Sequence, residues 1–475
     1  PEGIPVYEEK SKEYGLDLVV FGTQALFFDY DLDGDLDMFQ LNHSVHQNGT
    51  FGRRDLFKDT VHPLAGDKLF RNENGKFVEI TKEAGIHSSA LGYGLGLGVG
   101  DVNFDGYPDM YIGNDFHEND YLYINQRNGR FNDQTDSALM HTSQFSMGVD
   151  IGDLNNDIFP EIVSLDMLPS DYEILKKSEG EDSYSIFKYK IRQGYNYQFA
   201  RNNLQFNNGN GTFSEIGAFA GMHATDWSWA ALFTDFDNDG LKDLFISNGI
   251  PKRMNDTDYI KFVSGDVAQQ KIRDKNFDEN DPGLADKLPE IKLPNKFFRN
   301  QGALSFSDLA KNIKNDQISY SNGAVYADLD NDGDLDIVTN NINEKAFVYE
   351  NLNNGKAAQN DFLRLYLKGK KGNLNAIGTK CLVFKKDNVL SYEKFPVRGF
   401  QSSMDVPLNI GFGKKAEIDS MVLIWPDNRY QVMRSGDLKD SLTITYKDGL
   451  PVFDYEAFKR SKESKAYAFE DIAQK

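Results

Sequence analysis

The sequence predicts an all-β protein in which a β-propeller of small antiparallel sheets is followed by a small antiparallel β-sandwich. Three observations support this prediction. An acidic nine-residue pattern recurs five times before residue 350, Asn-Gly pairs stand between the copies, and apolar residues alternate with polar ones after residue 360. The first two features are typical of repeated hairpin sheets, and the third is typical of sandwich strands.

The acidic pattern has oxygen-bearing side chains at positions 1, 3, 5 and 9, and four of its five copies have glycine at position 6. We number the copies loops 1 to 5; they span residues 29–37, 101–109, 153–161, 235–243 and 328–336. Hard oxygen ligands closed by a sharp turn are typical of a calcium loop, which the position-7 carbonyl completes. The helical EF-hand is excluded, because none of the five copies has its Glu at position 12.

The expected ligand set follows from the pattern. The side-chain ligands are Asp29, Asp31, Asp33 and Asp37 in loop 1, Asp101, Asn103, Asp105 and Asp109 in loop 2, Asp153, Asn155, Asp157 and Glu161 in loop 3, Asp235, Asp237, Asp239 and Asp243 in loop 4, and Asp328, Asp330, Asp332 and Asp336 in loop 5. The carbonyl ligands are those of Asp35, Tyr107, Phe159, Leu241 and Asp334.

We therefore expect about five Ca²⁺ sites, of which the third is the weakest. In loop 3, Ile158 replaces glycine and Glu161 replaces aspartate. A β-branched residue resists the tight turn and glutamate is one methylene longer, so this loop departs from the pattern at two points.

Short apolar runs flank each loop, such as Ala25–Phe28 before loop 1 and Met38-Phe39 after it, and they predict strands. Asn-Gly pairs at 74–75, 128–129, 210–211 and 354–355 predict hairpins. Each unit then has about four strands in about 50 residues, the pattern of a propeller blade. Residues 1–356 are the predicted propeller, with five recognisable blades and up to seven if degenerate units lie in its insertions.

The two ends of the array carry complementary halves of one unit. Val6–Glu9 resembles an outer strand without its preceding hairpin, and residues 346–351 resemble a closing strand without its successor. We expect these two strands to pair and to close the ring.

Two insertions interrupt the array at residues 169–199 and 250–293, and helical segments are expected in both. The first interleaves lysine and arginine with Tyr and Phe, and it reads either as a packed helical excursion or as a docking surface for a glycan, a peptide or a protein. Between the insertions, Trp227 and Trp229 alternate in a strand, so one is expected in the core and the other at the channel or rim.

After the array, residues 361–447 show the alternation of a small antiparallel sandwich. Residues 448–475 read as a polar linker, and Ala468–Ala473 reads as the start of a further repeat. The single cysteine, Cys381, cannot form an internal disulfide and is expected in the core.

The formal net charge of −21 is concentrated in the loops and argues against nucleic-acid binding. No apolar run approaches the length of about 18 residues that a transmembrane helix needs. Because calcium loops work best where calcium is millimolar, we expect an extracytoplasmic protein. The chain begins at Pro1 without Met or a signal peptide, as a processed or truncated product would.

The loops and their Asn-Gly hairpins resemble FG-GAP/VCBS repeats, the propeller repeats also found in integrin α-chains. The block from Asn375 to Lys380, with Gly411–Gly413 and Trp425–Asp427, is similar to the ASPIC/UnbV domain that accompanies such propellers in the cartilage acidic protein family. That resemblance implies a transthyretin-like sandwich. Asn203–Ile216 and Thr225–Trp229 resemble surface lipoproteins of Bacteroidota-type bacteria, which implies the outer-membrane surface and a lipid anchor upstream of Pro1.

Two functions follow as hypotheses. The first is a non-enzymatic, calcium-stabilised surface scaffold that binds other outer-membrane or surface proteins or a glycan, as an accessory subunit of a transport or assembly complex. The alternative is a glycan-active hydrolase or lyase, for which Asp115, His117–Asp120, His43 and His46 would supply an acid/base site. Chance proximity explains such His clusters more often than catalysis does, so the non-enzymatic hypothesis is preferred and no catalytic residue is assigned.

Overall fold

A computed structural model describes residues 6–45, 53–180, 182–273, 285–353, 360–386 and 388–463. It confirms the all-β class, with five small antiparallel sheets in chain order followed by two sheets of a sandwich. Three features expected from sequence lie outside the described residues: the Asn-Gly pair at 354–355, His46, and the repeat-like Ala468–Ala473.

The five sheets are blades 1 to 5, and each runs from an inner to an outer strand in sequence order. Blade 1 has β1 (Gly22–Phe28), β2 (Asp37–Asn42), β3 (Lys68–Asn72) and β4 (Phe77–Glu79); blade 2 has β5 (Gly94–Gly100), β6 (Asp109–Asn114), β7 (Tyr121–Asn125) and β8 (Phe131–Asp133). A two-stranded parallel pair, β9 (Thr142–Ser143) and β12 (Gln198–Phe199), brackets blade 3, which has β10 (Val149–Gly152), β11 (Glu161–Ser164), β13 (Asn203–Asn207) and β14 (Phe213–Glu215). Blade 4 has β15 (Ser228–Thr234), β16 (Asp243–Asn248), β17 (Lys296–Asn300) and β18 (Phe306–Asp308), and blade 5 has β19 (Ser321–Ala327), β20 (Asp336–Asn341) and β21 (Phe347–Tyr349).

A one-turn helix or 3-10 turn precedes each inner strand except that of blade 3, which β9 precedes, and longer helices lie in the insertions. The helices are α1 (Ser11–Tyr14), α2 (Arg54–Phe57), α3 (Thr81–Ala84), α4 (Thr135–Ala138), α5 (Tyr172–Lys177), α6 (Tyr184–Arg192), α7 (Gly217–Ala220), α8 (Thr257–Ser264), α9 (Asp266–Arg273) and α10 (Tyr455–Glu463). The 3-10 turns are Ala285–Lys287, Ala310–Asn312, Lys415–Glu417 and Ser435–Asp437.

The sandwich has a three-stranded and a four-stranded sheet. The first, in the order β25-β22-β28, contains β22 (Asp361–Lys368), β25 (Leu408–Gly413) and β28 (Ser441–Thr445); the second, in the order β24-β23-β26-β27, contains β23 (Lys380–Lys385), β24 (Asn388–Glu393), β26 (Ile418–Ile424) and β27 (Tyr430–Arg434). Cys381 is buried in its core without a disulfide, as the sequence predicts.

Adjacent blades pack through apolar clusters, one at each of the four joints from blade 1 to blade 5. Leu26 and Leu97 pack in the first joint, for example, and Ala231 and Leu154 in the third. The alternation of each strand places one face toward the preceding blade and the other toward the next, so every middle blade is buried on both faces.

The centre of the array is filled by residues 394–407 of the sandwich domain, which we call the central segment. Phe400 forms an isolated bridge with Gly96 of β5, and Gly399 forms one with Val149 of β10. Phe400 also packs with Ala230 of β15 and Ala324 of β19, and the Gln24 side chain of β1 donates a hydrogen bond to the Ser402 carbonyl. The inner strand of every blade therefore contacts one segment that lies after the propeller in sequence.

The expected closure of the ring is wrong for the described residues. Blade 5 has three strands, β21 pairs with β20 and with no other described strand, and the side chains of Val6 and Tyr7 are 94% and 90% exposed. The residues that resemble an outer strand, Val6–Glu9, therefore do not pair with β21 and do not complete blade 5.

Residues after the sandwich, expected as a polar linker, instead pack against it. Phe453, Tyr455 and Phe458 join an apolar cluster with Phe104 of loop 2 and Leu382 of the sandwich. Their aromatic side chains make this segment part of the interface between the two domains.

Candidate metal sites

All five acidic loops adopt one turn. Positions 4 and 6 are left-handed in each loop, with φ between 51° and 66° at position 4 and between 80° and 101° at position 6. The position-1 carboxylate accepts the position-6 N–H at 2.7–3.0 Å, and the position-9 carboxylate accepts the position-2 N–H at 2.8–3.3 Å. The two ends of the pattern thus tie the loop into a ring of oxygen atoms.

Loop 3 forms this turn despite Ile158, and that it is the weakest of the five sites stays a prediction. Ile158 takes a φ of 80°, and its N–H donates to Asp153 at 3.0 Å. Its side chain is 1% exposed and packs with Leu382 and Val389 of the sandwich. Burial in the domain interface offsets the strain of a branched residue at positive φ.

In loops 1, 4 and 5, the carboxylates at positions 1, 3 and 5 converge. One oxygen from each of the three side chains lies within 4.8 Å of the others, in the groups Asp29, Asp31, Asp33; Asp235, Asp237, Asp239; and Asp328, Asp330, Asp332. Three carboxylates at this spacing repel one another in the absence of a cation and suit a hard divalent ion.

Several loop oxygens are buried without a hydrogen-bond donor. Among the described residues they include Asp29 Oδ1, Asn103 Oδ1, Glu161 Oε1, Asp237 Oδ1 and Asp328 Oδ1. A buried acceptor without a donor is costly, and each of these atoms belongs to a predicted metal ligand. The donor set therefore fits a metal ion.

Burial also makes the ionised loops costly. It raises the pKa of Asp29 to about 7 and the pKa of Asp37 to about 8, and neighbouring carboxylates add to both shifts. Burial and the carboxylate of Asp239 raise the pKa of Asp235 to about 8. A dication held in these loops would favour the ionised form and lower all three values.

Loops 2 and 3, which have asparagine at position 3, contain a nearby lysine. The Lys380 ammonium lies 3.1 Å from Asp101, and Lys242 donates to the Asp153 carbonyl at 2.9 Å. In loop 3, moreover, Asn155 Nδ2 donates to Asp157 at 2.9 Å, so this amide nitrogen faces the neighbouring ligand. Loops 2 and 3 therefore present fewer free oxygens than loop 1, for which the described residues show no ion pair.

Arginines contact the two remaining loops. Arg299 lies 2.5 Å from Asp237 and 3.2 Å from Asp239 in loop 4, and Arg364 of the sandwich pairs with Asp328 in loop 5. Among the described residues, no lysine or arginine side chain pairs with a loop 1 carboxylate, although the charge of Arg71 acts on Asp31.

The position-7 residues, whose carbonyls are predicted ligands, are held in place by hydrogen bonds that their backbone N–H groups donate. Those of Asp35, Tyr107, Phe159, Leu241 and Asp334 donate to the position-5 carboxylate at 2.8–3.1 Å. This contact fixes the turn at position 7, and coordination by the carbonyls stays a prediction.

The sandwich covers the face of the array on which the loops lie. Asn428 donates to Gly106 O of loop 2 at 3.2 Å, and Gly413 donates to Asn238 O of loop 4 at 2.8 Å. Gly372 lies against Gly34 and Asp35 of loop 1, so closely that a Cβ at position 372 would clash with the Gly34 carbonyl. With Ile158 and Arg364, these contacts join every loop to the second domain.

In blades 2 to 5, an asparagine at or just after the end of the third strand joins neighbouring blades, a role that the sequence analysis missed. Its side-chain amide donates to the position-2 carbonyl of the preceding blade's loop at 2.8–3.0 Å: Asn125 to Tyr30, Asn207 to Val102, Asn300 to Leu154 and Asn351 to Phe236. We call this contact the asparagine clasp. Its sequence signal, an asparagine two to four residues before the hairpin glycine, recurs in every unit.

The residues of the enzymatic alternative have structural partners. The Glu118 carboxylate is 1% exposed and pairs with Arg54 at 2.8 Å, and Asp120 accepts hydrogen bonds from Tyr111 and Ser146. Burial raises the pKa of Asp115 to about 7. Glu118 thus links the segment after β6 to α2, and Asp120 links that segment to β6 and to Ser146 ahead of β10.

The fold and the loops define a repeat protein of the propeller class with an acidic turn in every blade. A family model described as FG-GAP-like repeat matches residues 101–164 and 194–246, and one described as ASPIC and UnbV matches residues 369–451. The chain therefore contains FG-GAP-like repeats followed by an ASPIC and UnbV domain, a combination that indicates a surface or binding repeat protein.

Solved structures resemble the chain only distantly. An Agrocybe aegerita lectin, described as recognising non-reducing terminal N-acetylglucosamine, has a TM-score of 0.34 and 12% identity over 71% of this chain. The Photorhabdus luminescens Tc holotoxin pore has a TM-score of 0.29 and 11% identity over 86% of this chain. The chain spans 64% of the lectin chain and 15% of the toxin chain, and no curated protein matches it.

Proposed function

We propose that this chain is a non-enzymatic scaffold of the cell surface whose acidic loops bind Ca²⁺ and whose insertions bind a partner. The observation that carries the proposal is the convergence of three carboxylates in each of loops 1, 4 and 5, with Asp29 Oδ1 buried and without a donor. Oxygen-only ligands in a flexible turn suit Ca²⁺ better than a transition metal.

The role proposed for calcium is structural. Every loop joins the inner two strands of a blade and contacts the sandwich, so a bound ion would stabilise the blades and the domain interface together. A ligand bound only by the folded state raises the free energy of unfolding by mass action.

Calcium titration of chelator-treated protein tests this proposal. We expect the melting temperature to rise by at least 5 °C in 2 mM Ca²⁺, and Asp31→Asn with Asp33→Asn to reduce the bound calcium measured by mass spectrometry. The matched control is Asp17→Asn, an acidic residue outside the loops. A melting temperature that is the same in chelator and in calcium would contradict the structural role.

The proposed partner surface is the face opposite the loops. The chain passes from loop 3 through β11 and leaves the far end of that strand into the first insertion, so α5 and α6 lie on the side that the sandwich does not cover. The side chains of Tyr172 and Tyr184 are 72% and 74% exposed, and Lys176 and Lys188 lie over their rings at 5.2 and 5.6 Å. Exposed aromatic and basic groups on a rigid array suit a surface protein or an acidic glycan.

The proposed location of the protein is the outside of the cell, because the millimolar calcium concentration there would fill the loops. FG-GAP-like repeats are typical of extracellular proteins, and the described residues include no helix long and apolar enough to cross a membrane. Attachment to an outer-membrane transport or assembly complex is part of the proposal.

Binding assays on intact cells test the partner surface. We expect Lys176→Glu with Lys188→Glu to abolish retention of the purified chain on the cells of origin, and Lys12→Glu with Lys82→Glu to leave it unchanged. These control lysines lie in short helices at the array rim. Equal retention of both double variants would contradict the assignment.

A further inference from the structure

The two ends of the array expose surfaces that are buried or partly buried in the other blades. Leu329, at position 2 of loop 5, is 52% exposed, whereas Tyr30, Val102 and Leu154 at the same position are 1–3% exposed and Phe236 is partly buried. Phe27 of β1 is 38% exposed, while the corresponding faces of β5 and β15 are buried. Each of these end surfaces is half of a blade–blade joint.

Among the described residues, blade 5 has no outer strand, whereas each of the other four blades has one. Within the described part of the chain, β21 is the free edge of its sheet, and Val348 at its centre is 61% exposed. In the other blades, the strand on this edge leads directly into a short helix or turn and then into the inner strand of the next blade or a segment beside it.

Residues 9–15 repeat the contacts that lead from an outer strand into its helix, but within the described part of the chain residues 7–9 belong to no sheet. Glu9 accepts the Ser11 N–H at 2.7 Å, as Asp133 accepts the Thr135 N–H at 3.0 Å after β8. The helix that follows ends at Gly15 with a φ of 78°, and α3 ends at Gly85 with a φ of 79°.

The position of Gly15 shows where this outer strand belongs. Gly15 lies against the Phe77 carbonyl of blade 1, as Gly85 lies against the Phe131 carbonyl of blade 2. Because β4, which precedes α3, is the outer strand of the blade before blade 2, Tyr7–Glu9 occupies the corresponding position, that of an outer strand of a blade before blade 1.

We propose that the open end of the array is an interaction surface for a further blade of the same repeat, continuous with Tyr7. That blade would use Tyr7–Glu9 as its outer strand, and the segment ahead of it would pair with β21. Its hairpin asparagine would make the missing clasp to the Leu329 carbonyl. The Asn72 amide, which donates to Leu36 O of its own loop, would reach the position-2 carbonyl of the new blade.

The central segment favours a blade over direct contact between blades 1 and 5. Ser402 accepts a hydrogen bond from Gln24 of β1 and lies against Gly323 of β19, so it stands between the two end blades. A second copy of the chain would bring its own sandwich to the joint, whereas a repeat unit brings only a sheet. The inference does not depend on calcium or on the proposed partner surface.

A graft of the chain's own repeat tests the inference. Residues 77–130 run from an outer strand through three strands of blade 2 to the hairpin that precedes Phe131, and Phe131 corresponds to Tyr7. Chains carrying one or two copies of this unit ahead of Tyr7 are compared with the ungrafted chain by hydrogen exchange. We expect one of the grafts to slow amide exchange at residues 347–349 and 7–9 at least tenfold.

The matched control is the same graft with its copy of Asn125 changed to Ala, which removes the clasp and should lose most of the protection. Leu329→Lys should leave the melting temperature of the ungrafted chain unchanged and abolish protection in the grafted chain. Three results would overturn the inference: no protection with either graft, protection of residues 347–349 already present in the ungrafted chain, or protection that appears only as the ungrafted chain is concentrated. The last result would assign the surface to a second copy.

Discussion

At the scale of single residues, position 6 of the acidic turn is selected in two different ways, by backbone conformation in loop 1 and by packing in loop 3. Gly34 has a φ of 101° and no neighbouring atom within reach of an added Cβ, so only backbone conformation selects glycine there. At Ile158 the same turn lies under the sandwich, and a branched side chain fills the interface. Sequence alone shows the departure, but it does not show what the side chain contacts.

Ile158→Gly is expected to destabilise the protein by about 1–2 kcal/mol, because the loss of a buried aliphatic side chain exceeds the relief of turn strain. Gly34→Ala should cost about 1 kcal/mol through strain alone. Urea denaturation in excess calcium measures both. An Ile158→Gly variant more stable than the parent would show that strain dominates.

Asp67, at the face of the array opposite the acidic loops, makes a pH-dependent contribution to the free energy of unfolding. Its buried carboxylate accepts the Asn42 N–H at 2.8 Å, and burial raises its pKa to about 8. The folded-state pKa is above the unfolded value of about 3.9, so this contribution to stability is fully present below pH 3.9 and is lost as pH rises through 8.

Asp67→Asn removes this titration and keeps the acceptor; Asn295 already accepts the Asn248 N–H in blade 4. Between pH 6 and pH 8 the parent should lose about 2 kcal/mol of stability that the variant keeps. Denaturation at the two pH values, with calcium fixed, checks this. Parallel losses in both proteins would assign the pH dependence to other groups.

At the scale of elements, the blade could be predicted because its signals are local. The acidic turn, the apolar runs beside it and the Asn-Gly hairpin all lie within one unit, and the period of the unit sets the strand order. The asparagine clasp was missed because the acceptor, such as Tyr30 for Asn125, belongs to another unit. The prediction that Val6–Glu9 closes the ring was wrong because two complementary halves of a repeat unit do not show which sheets they belong to.

The asparagine clasp predicts unequal effects of one substitution. In Asn300→Ala two buried carbonyls, of Leu154 and Lys242, lose their donor, so we expect a loss of about 2–3 kcal/mol. In Asn72→Ala only the Leu36 carbonyl of the same loop loses the donor among the described contacts, and about 1 kcal/mol is expected. Urea denaturation measures both, and equal losses would show that the contact between blades contributes nothing.

At the scale of the whole molecule, the boundary predicted near residue 360 separates two sequences but not two independent structures. Residues 394–407 lie in the centre of the propeller, and the loops of the propeller lie under the sandwich. Such non-local contacts leave no periodic signal, so sequence reasoning predicted a sandwich after the propeller and missed how it docks. Of the candidate site, the loop residues could be predicted, and the neighbouring cations Lys380 and Arg364 could not.

The central segment predicts that the two domains unfold together. Phe400 is 6% exposed, and its ring centroid lies 4.7 Å from that of Trp229. Phe400→Ala should therefore lower the free energy of unfolding by about 3–5 kcal/mol. We expect calorimetry to show a single unfolding transition in both proteins, at a lower temperature in the Phe400→Ala variant than in the parent. Val432→Ala, at a 56% exposed position of the sandwich edge, is the control and should change little. Two separate transitions, with only one shifted, would contradict joint unfolding.

The central segment also has a consequence for how the polypeptide matures. A chain made from its N-terminus releases all five sheets before the residues that fill their midpoint, and at about 5–20 residues per second the wait lasts several seconds. During that interval the inner strands face water or one another. A nascent chain stalled before Lys394 should therefore be sensitive to protease and prone to aggregation, and a released chain that also contains β25 to β28 should resist both.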